Sequence, residues 1–411
     1  MIMKNLIFLL LVVAACSNQK HYNLQPISLA GEWRFRIDSL DKGITNKFYT
    51  GLFDEKVKLP GSMAENGKGD EVTLRTPWTG DIIDKSYFTD KKYEKYRQPG
   101  NIKIPFWLKP VKYYKGPSWY QKEIEIPADW KGKRVVLFLE RCHWESTVFV
   151  NDKRAGNQNS LATPHEYDIS DLVMPGKNLL SIRIDNRVII PIGVNSHSIS
   201  DHTQSNWNGI TGEISLRATS KVYISDVRVY PDLKKKSAKV IVAVSNKPGT
   251  PFKGTISLKA DSYNSKTAQS LKTRFVEAST NSGKIEIVTE YSMGNHMQLW
   301  SEFKPALYKL TVNLIDQNGE YIDNKSVDFG MREFKTNGTR FEVNGRQIFL
   351  RGTLECCIFP LTGYPPADIK SLEKVLQTCK NYGLNHIRFH SWCPPEAAFI
   401  AADKLGMYFH I

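Results

Sequence analysis

The sequence predicts a multidomain, mainly β protein. A sandwich or jelly roll comes first, then a second sandwich of immunoglobulin-like size, then a β-α-β-α-β run that opens a parallel sheet or α/β barrel. Three observations carry this. The 411 residues are too many for one ordinary domain. Apolar and polar residues alternate with period two over the first three quarters of the chain, between turn residues. After about residue 334 the period changes to that of strands separated by helices.

The elements follow in order. Lys4 and the unbroken apolar run Leu6–Val13 read as the charged and hydrophobic parts of an export leader, too short to span a bilayer as a mature helix. Val13-Ala14-Ala15-Cys16 resembles a bacterial lipobox, which makes Cys16 the expected lipid-carrying residue and residues 1–16 a lipoprotein signal peptide. A plain signal peptide that contains a cysteine is the alternative. Export with a membrane anchor implies a periplasmic, outer-membrane or cell-surface location.

Residues 22–217 are expected to form the first sandwich. Ile124 and Ile126 alternate with Lys122, Glu123 and Glu125, and Leu180, Ile182 and Ile184 alternate with Ser181, Arg183 and Asp185, one face buried and one wet. Pro127-Ala128-Asp129, Asn151-Asp152 and Pro175-Gly176-Lys177-Asn178 supply turns. Residues 218–333 repeat the pattern through Val240, Val242 and Val244, then Leu310, Val312 and Leu314, with a tight turn at Asn318-Gly319.

From 334 to 411 the reading is a strand over 347–352, then a helix capped by Asp368 with an apolar face of Leu372, Val375, Leu376 and Cys379. Gly383 ends it, a strand spans 385–390, and a second helix runs from Pro395 to Gly406 before a third strand over 407–411. A closed eight-stranded barrel takes about 250 residues, so this stretch is expected to be the start of one, completed elsewhere.

The formal net charge of +14 is scattered over strands and turns, with short clusters such as Lys234-Lys235-Lys236. No nucleic-acid motif accompanies it, so a generally basic exported protein is expected, an acidic glycan being the functional alternative. Setting Cys16 aside, Cys142, Cys356, Cys357, Cys379 and Cys393 are odd in number and lack CxxC spacing. That pattern implies neither a disulfide framework nor a zinc site, and the thiols read as mostly buried small apolar groups. No metal or other cofactor is expected.

Eight stretches together resemble the family 2 glycoside hydrolases, a family that includes β-galactosidases, β-glucuronidases and β-mannosidases. Leu29-Ala30-Gly31-Glu32-Trp33 resembles the opening strand, Leu59-Pro60-Gly61-Ser62-Met63 an early turn, and Trp119-Tyr120-Gln121-Lys122 a strand start. Phe149-Val150-Asn151-Asp152 is similar to the family hairpin, and Asn206-Trp207-Asn208-Gly209-Ile210 to its Trp-Gly-Gly-Ile loop. Leu299-Trp300-Ser301 with Pro305-Ala306-Leu307-Tyr308, Phe329-Gly330-Met331-Arg332, and Phe341-Glu342-Val343-Asn344-Gly345 with Leu350-Arg351-Gly352 complete the series.

The resemblance implies a jelly-roll sugar-binding-type sandwich, an immunoglobulin-like sandwich and the first β-α-β-α-β of a truncated (β/α)8 barrel. It also implies an exo-acting retaining β-glycosidase whose acid/base and nucleophile Glu follow later barrel strands, beyond Ile411. The chain alone is then inactive. A lipid-anchored, non-catalytic carbohydrate-binding protein is the rival expectation.

Departures leave the sugar open: Thr353-Leu354-Glu355-Cys356-Cys357 and Arg388-Phe389-His390-Ser391-Trp392 differ from the usual family runs, and the Tyr- and Lys-rich stretch over 86–114 is longer. Barrel sites lie at the C-terminal ends of strands. The candidate substrate-binding residues are therefore Glu355, Arg388, His390 and Trp392, with Asp201, Asn206 and Trp207 from the first sandwich. Arg388 would hold the nucleophile ionised, Trp392 would stack on a sugar face and His390 would bond a hydroxyl. Each also has a purely structural alternative, as ion pair, helix packing or core histidine. Glu355 has no carboxylate partner and is not taken as catalytic.

Overall fold

Alternation along the strands builds two layers first. The computed structural model describes residues 24–78, 84–104, 111–191, 193, 199–201, 206–247, 250–281, 283–359 and 361–411, and the leader with Cys16 lies outside them. One layer of the first sandwich is a five-stranded sheet in the spatial order Ile27–Ser28, Gly209–Thr219, Arg134–His143 and His165–Asp168, with Gly61–Ser62 also paired to Gly209–Thr219. The other is six-stranded, ordered Lys153–Gln158, Glu145–Val150, Gly176–Asp185, Pro117–Ile126, Gly31–Ile37 and Glu55–Leu59. Between the layers lie Trp33, Tyr120, Leu137, Leu139, Ile182 and Ile184, all within 1% of full burial.

Ile124 and Ile126 point inward while Glu123 and Glu125 stay exposed, as a period of two requires. The second alternating run departs from that rule: Ser181, Arg183 and Asp185 are also buried. The outer face there is not wet. The segment after Ile37 folds across it, packing Phe48, Tyr49 and Phe53 on Trp119 and Phe149. Asp41 closes the cover by pairing with Arg183 at 2.7 Å and with Arg187 at 2.6 Å. A buried charge is tolerated when it is paired, and here the pairing partner arrives from about 140 residues away in sequence.

The second sandwich packs a three-stranded sheet, Val222–Asp232, Ser237–Asn246 and Gly283–Ser292, on a four-stranded one. The latter is ordered Arg274–Thr280, Phe252–Tyr263, Leu307–Asp316 and Tyr321–Phe329. Val240, Val242, Val244, Leu310, Val312 and Leu314 are fully buried between them. At the 318–319 turn Gly319 takes φ +83°, and the Asp316 carboxylate accepts from the Asn318 and Glu320 amides.

Two features of the last stretch correct the sequence reading. The expected strand over 347–352 is two elements, because Asn385 intervenes: its side-chain carbonyl accepts from the Arg351 amide at 2.8 Å and its own amide donates to the Arg351 carbonyl at 2.9 Å. Arg346–Ile348 therefore stays in a small antiparallel sheet with Phe334–Asn337 and Arg340–Val343, and Gly352–Glu355 starts a parallel one. Val375 is 47% exposed, so the buried stripe of the first helix is narrower than expected and centres on Leu376 with Leu372 and Cys379.

The parallel sheet runs Gly352–Glu355, His386–Phe389 and Tyr408–His410, with helices Ile369–Asn381 and Glu396–Leu405 as crossovers. Asp368 caps the first by accepting from the Ser371 amide at 2.8 Å. Pro395 precedes the second and Gly406, at φ +73°, ends it. Trp300, Leu307, Val343 and Tyr408 form a core that joins this unit to the second sandwich, and the Trp300 indole donates to Asp403 O at 2.8 Å. Among the described residues there is no disulfide. Cys142 and Cys357 are buried, but Cys356, Cys379 and Cys393 are only half-buried, so burial of the thiols is less general than the sequence suggested.

Candidate functional site

A cleft of about 510 Å³ opens where the first sandwich meets the C-terminal ends of the parallel strands. Its sandwich wall carries Arg141, His143, Trp207 and Thr211, and its other wall Cys357, Arg388, Trp392, Cys393 and His410. No Asp or Glu lines it among the described residues.

Arg388 sits near the end of strand His386–Phe389, and the pleat sends its side chain opposite to the buried Ile387 and Phe389. Its guanidinium is exposed, and among the described residues no carboxylate lies within ion-pair distance of it. Trp392 packs edge-on against Phe389, ring centroids 5.2 Å apart, which fixes its plane beside the strand end. His390 is half-buried, and its amide donates to the Glu355 carbonyl at 2.8 Å, tying together the ends of the first two strands.

Glu355 turns its carboxylate back on its own loop, where both oxygens accept from the Cys357 amide, at 2.9 and 3.1 Å. Burial pushes its carboxyl above the usual range, against the opposing pull of the Cys357 amide, the Trp392 indole and the Cys356 amide. The indole N–H faces this carboxyl without closing a hydrogen bond of ordinary geometry. Glu355 therefore shapes the loop that carries Cys357 rather than projecting into the cleft.

Trp207 stands between His143 and Tyr364, with ring centroids at 4.9 and 5.4 Å. The loop bearing Tyr364 is itself pinned to the sandwich: Ser62 donates to Thr362 O at 2.5 Å, and the Tyr364 hydroxyl to Glu65 at 2.8 Å. Asp201 and Asn206 are elsewhere. Asp201, 5% exposed, pairs with Lys115 at 2.8 Å and receives the Asn206 amide at 3.4 Å, while Asn206 accepts from Asn186 at 3.1 Å. Their polar atoms tie the segments of Lys115, Asn186 and Asn206 together, and neither residue lines the cleft.

Arg141, His143, Cys393 and His410 were not singled out in the sequence. Arg141 donates to Leu161 O at 2.9 Å and to Pro394 O at 2.6 Å, which joins sandwich and parallel unit at the cleft. Nothing in its local sequence marks that role, because its partner lies 253 residues away.

Residues 27–220 match the model of the glycosyl hydrolases family 2 sugar binding domain, and residues 222–332 match the glycosyl hydrolases family 2 model that follows it. The chain belongs to family 2 of the glycosyl hydrolases. This family 2 chain is 27% identical over 300 residues to a β-galactosidase of Thermoanaerobacter pseudethanolicus, covering 72% of the chain and 39% of that protein. It is 23% identical over 341 residues to a β-glucuronidase of Paenibacillus borealis, covering 79% and 48%.

Among solved structures it is similar to Bacteroides uniformis β-glucuronidase 2 covalently bound to cyclophellitol-6-carboxylate aziridine, with a TM-score of 0.68, 20% identity, and 94% of this chain and 42% of that one covered. For the Ruminococcus gnavus β-glucuronidase in complex with D-glucuronic acid the TM-score is 0.69 at 19% identity, covering 94% and 60%. At these identities the structural likeness carries the fold alone. The chain thus spans between about a third and a half of the length of these curated relatives.

Proposed function

We propose that this chain is the front part of an exo-acting, retaining β-glycosidase that cleaves O-glycosyl bonds in glycans. In this reading the parallel unit opens a (β/α)8 barrel, and the cleft against the sandwich is part of the substrate site. The observation that carries it is Arg388: an exposed guanidinium at the C-terminal end of a parallel strand, lining a cleft, with no carboxylate partner among the described residues. A retaining glycosidase uses two carboxyl groups roughly 5–5.5 Å apart, one protonating the leaving oxygen and one attacking the anomeric carbon. Among the described residues the cleft lining supplies neither, and the pair is proposed to come from later barrel strands that follow Ile411, with Arg388 holding the nucleophile ionised.

Trp207 and Trp392 would then offer ring faces to the sugar, and His390, which does not itself line the cleft but lies between its lining residues Phe389 and Ser391, is proposed to bond a hydroxyl. Asp201 and Asn206 would act indirectly, by holding the wall behind Trp207. The excess of Arg and His around the cleft is compatible with an acidic sugar. The test is a panel of p-nitrophenyl β-glycosides, galactoside and glucuronide included, hydrolysed by the full-length protein, with Arg388→Ala lowering kcat by about 10²-fold or more.

The export reading is also proposed: a lipoprotein anchored through Cys16 in the periplasm or on the cell surface. Cys16→Ser is expected to move the protein from the membrane fraction to the soluble one. Retention in the membrane would argue against the anchor.

A further inference from the structure

Beside the cleft lies a second groove of about 630 Å³, lined by Pro60, Glu65 and Gly212 of the sandwich and by the loop that follows strand Gly352–Glu355. The two spaces share Ala367 and are divided by the Trp207–Tyr364 ring pair. Their charges are opposite. Among the described residues the cleft is lined by Arg141, His143, Arg388 and His410 with no Asp or Glu, whereas the groove is lined by Glu65 and Asp368 with no Lys, Arg or His.

Its remaining walls are ring and aliphatic surface from Phe359, Tyr364, Ile358 and Leu361. Glu65 gives one oxygen, Oε2, to the Tyr364 hydroxyl, and its Oε1 takes no further bond among the described residues. Carboxylate oxygens accept from hydroxyls and repel anions, and flat apolar side chains suit the C–H faces of a sugar ring.

We infer that this groove is the leaving-group subsite, and that it takes a neutral, hydroxyl-rich sugar and discriminates against an anionic one. The inference rests on the glycosidase reading above and adds to it the class of the departing group. A volume of this size accommodates one or two sugar rings, and the groove adjoins the cleft at Ala367, so a glycan reaching past the edge of the Trp207–Tyr364 pair would have its departing sugar on the far side of that pair from the sugar to be cleaved. Specificity then comes from repulsion as much as from attraction: Glu65 and Asp368 would disfavour a uronic or sulfated leaving group that the basic cleft would accept.

The full-length protein is tested with two disaccharides that share a β-galactosyl or β-glucuronosyl group, chosen by the aryl panel, joined either to glucose or to glucuronic acid. The expected result is a kcat/KM ratio favouring glucose by about tenfold. Leu361→Arg, at a side chain 76% exposed and so tolerant of substitution, should narrow that ratio by about fivefold, with Glu65→Gln acting in the same direction. Equal rates on both disaccharides, or a ratio that neither substitution moves, would overturn the subsite while aryl hydrolysis leaves the glycosidase reading standing. No hydrolysis of any glycoside, aryl or disaccharide, would remove both.

Discussion

Arg141 of the first sandwich donates to the carbonyl oxygen of Pro394 at 2.6 Å, two residues past Trp392, and to Leu161 O at 2.9 Å. One side chain thus links the sandwich to the turn that carries a cleft aromatic. Arg141→Met would leave two carbonyls without this donor and is expected to cost about 1–3 kcal/mol in urea unfolding, with Arg141→Lys intermediate. Equal midpoints for all three proteins would show that the link carries no stability.

Asp323 is a half-buried acid with a clear pH signature. Burial pushes its carboxyl up to about 6, against the opposing pull of the Ile224 and Asn324 amides and the Lys325 and Arg134 charges. Between the unfolded value near 3.8 and about 6, the folded chain keeps this proton and the unfolded chain has released it. This group therefore lowers stability as pH rises through that window and adds no slope above it. Asp323→Asn should remove the step between pH 4 and 6 from a series of urea midpoints.

The cap at Asp368 runs the other way. The Ser371 amide and hydroxyl hold its carboxyl below the ordinary value of 3.8. Its contribution is complete above that value and is lost as pH falls through the lower, folded one. Asp368→Ala should cost about 1 kcal/mol near neutral pH, and Asp368→Asn much less. The same loss for both substitutions would mean that charge, not the cap hydrogen bond, is what counts.

Cys142 is 2% exposed, and its thiol is raised by burial to about 12. Native protein at pH 8 should protect it from Ellman's reagent, while denatured protein exposes it. Peptide mapping of the modified sites separates it from the half-buried Cys356, Cys379 and Cys393.

Much of the fold was legible because it is local. Leu180, Ile182 and Ile184 share a face by strand geometry, Asp368 starts a helix because its oxygen reaches Ser371, and Gly406 ends one in a left-handed conformation. What was not legible depends on distant partners. Arg183 and Asp185 look solvated until the Asp41 segment covers them, and Phe349–Arg351 look like strand until Asn385 takes the Arg351 amide.

The site divides in the same way. Arg388, Trp392 and Trp207 could be picked out because strand ends and a family-like loop carry them, and they line the cleft. Arg141 and the Glu65–Tyr364 pair meet residues 253 and 299 positions away, which no spacing announces. Asp201 and Asn206 had the chemistry of sugar ligands, but Lys115 and Asn186 already occupy them.

The most direct measurement is hydrolysis of p-nitrophenyl β-galactoside and β-glucuronide by the full-length protein, beside its Arg388→Ala variant. A turnover of at least one of them, falling by about 10²-fold or more in the variant while the thermal midpoint stays within a few degrees, is the expected result. No turnover of any aryl β-glycoside by the unmodified protein would contradict the glycosidase assignment, and turnover indifferent to Arg388 would contradict the placement of its site in this cleft.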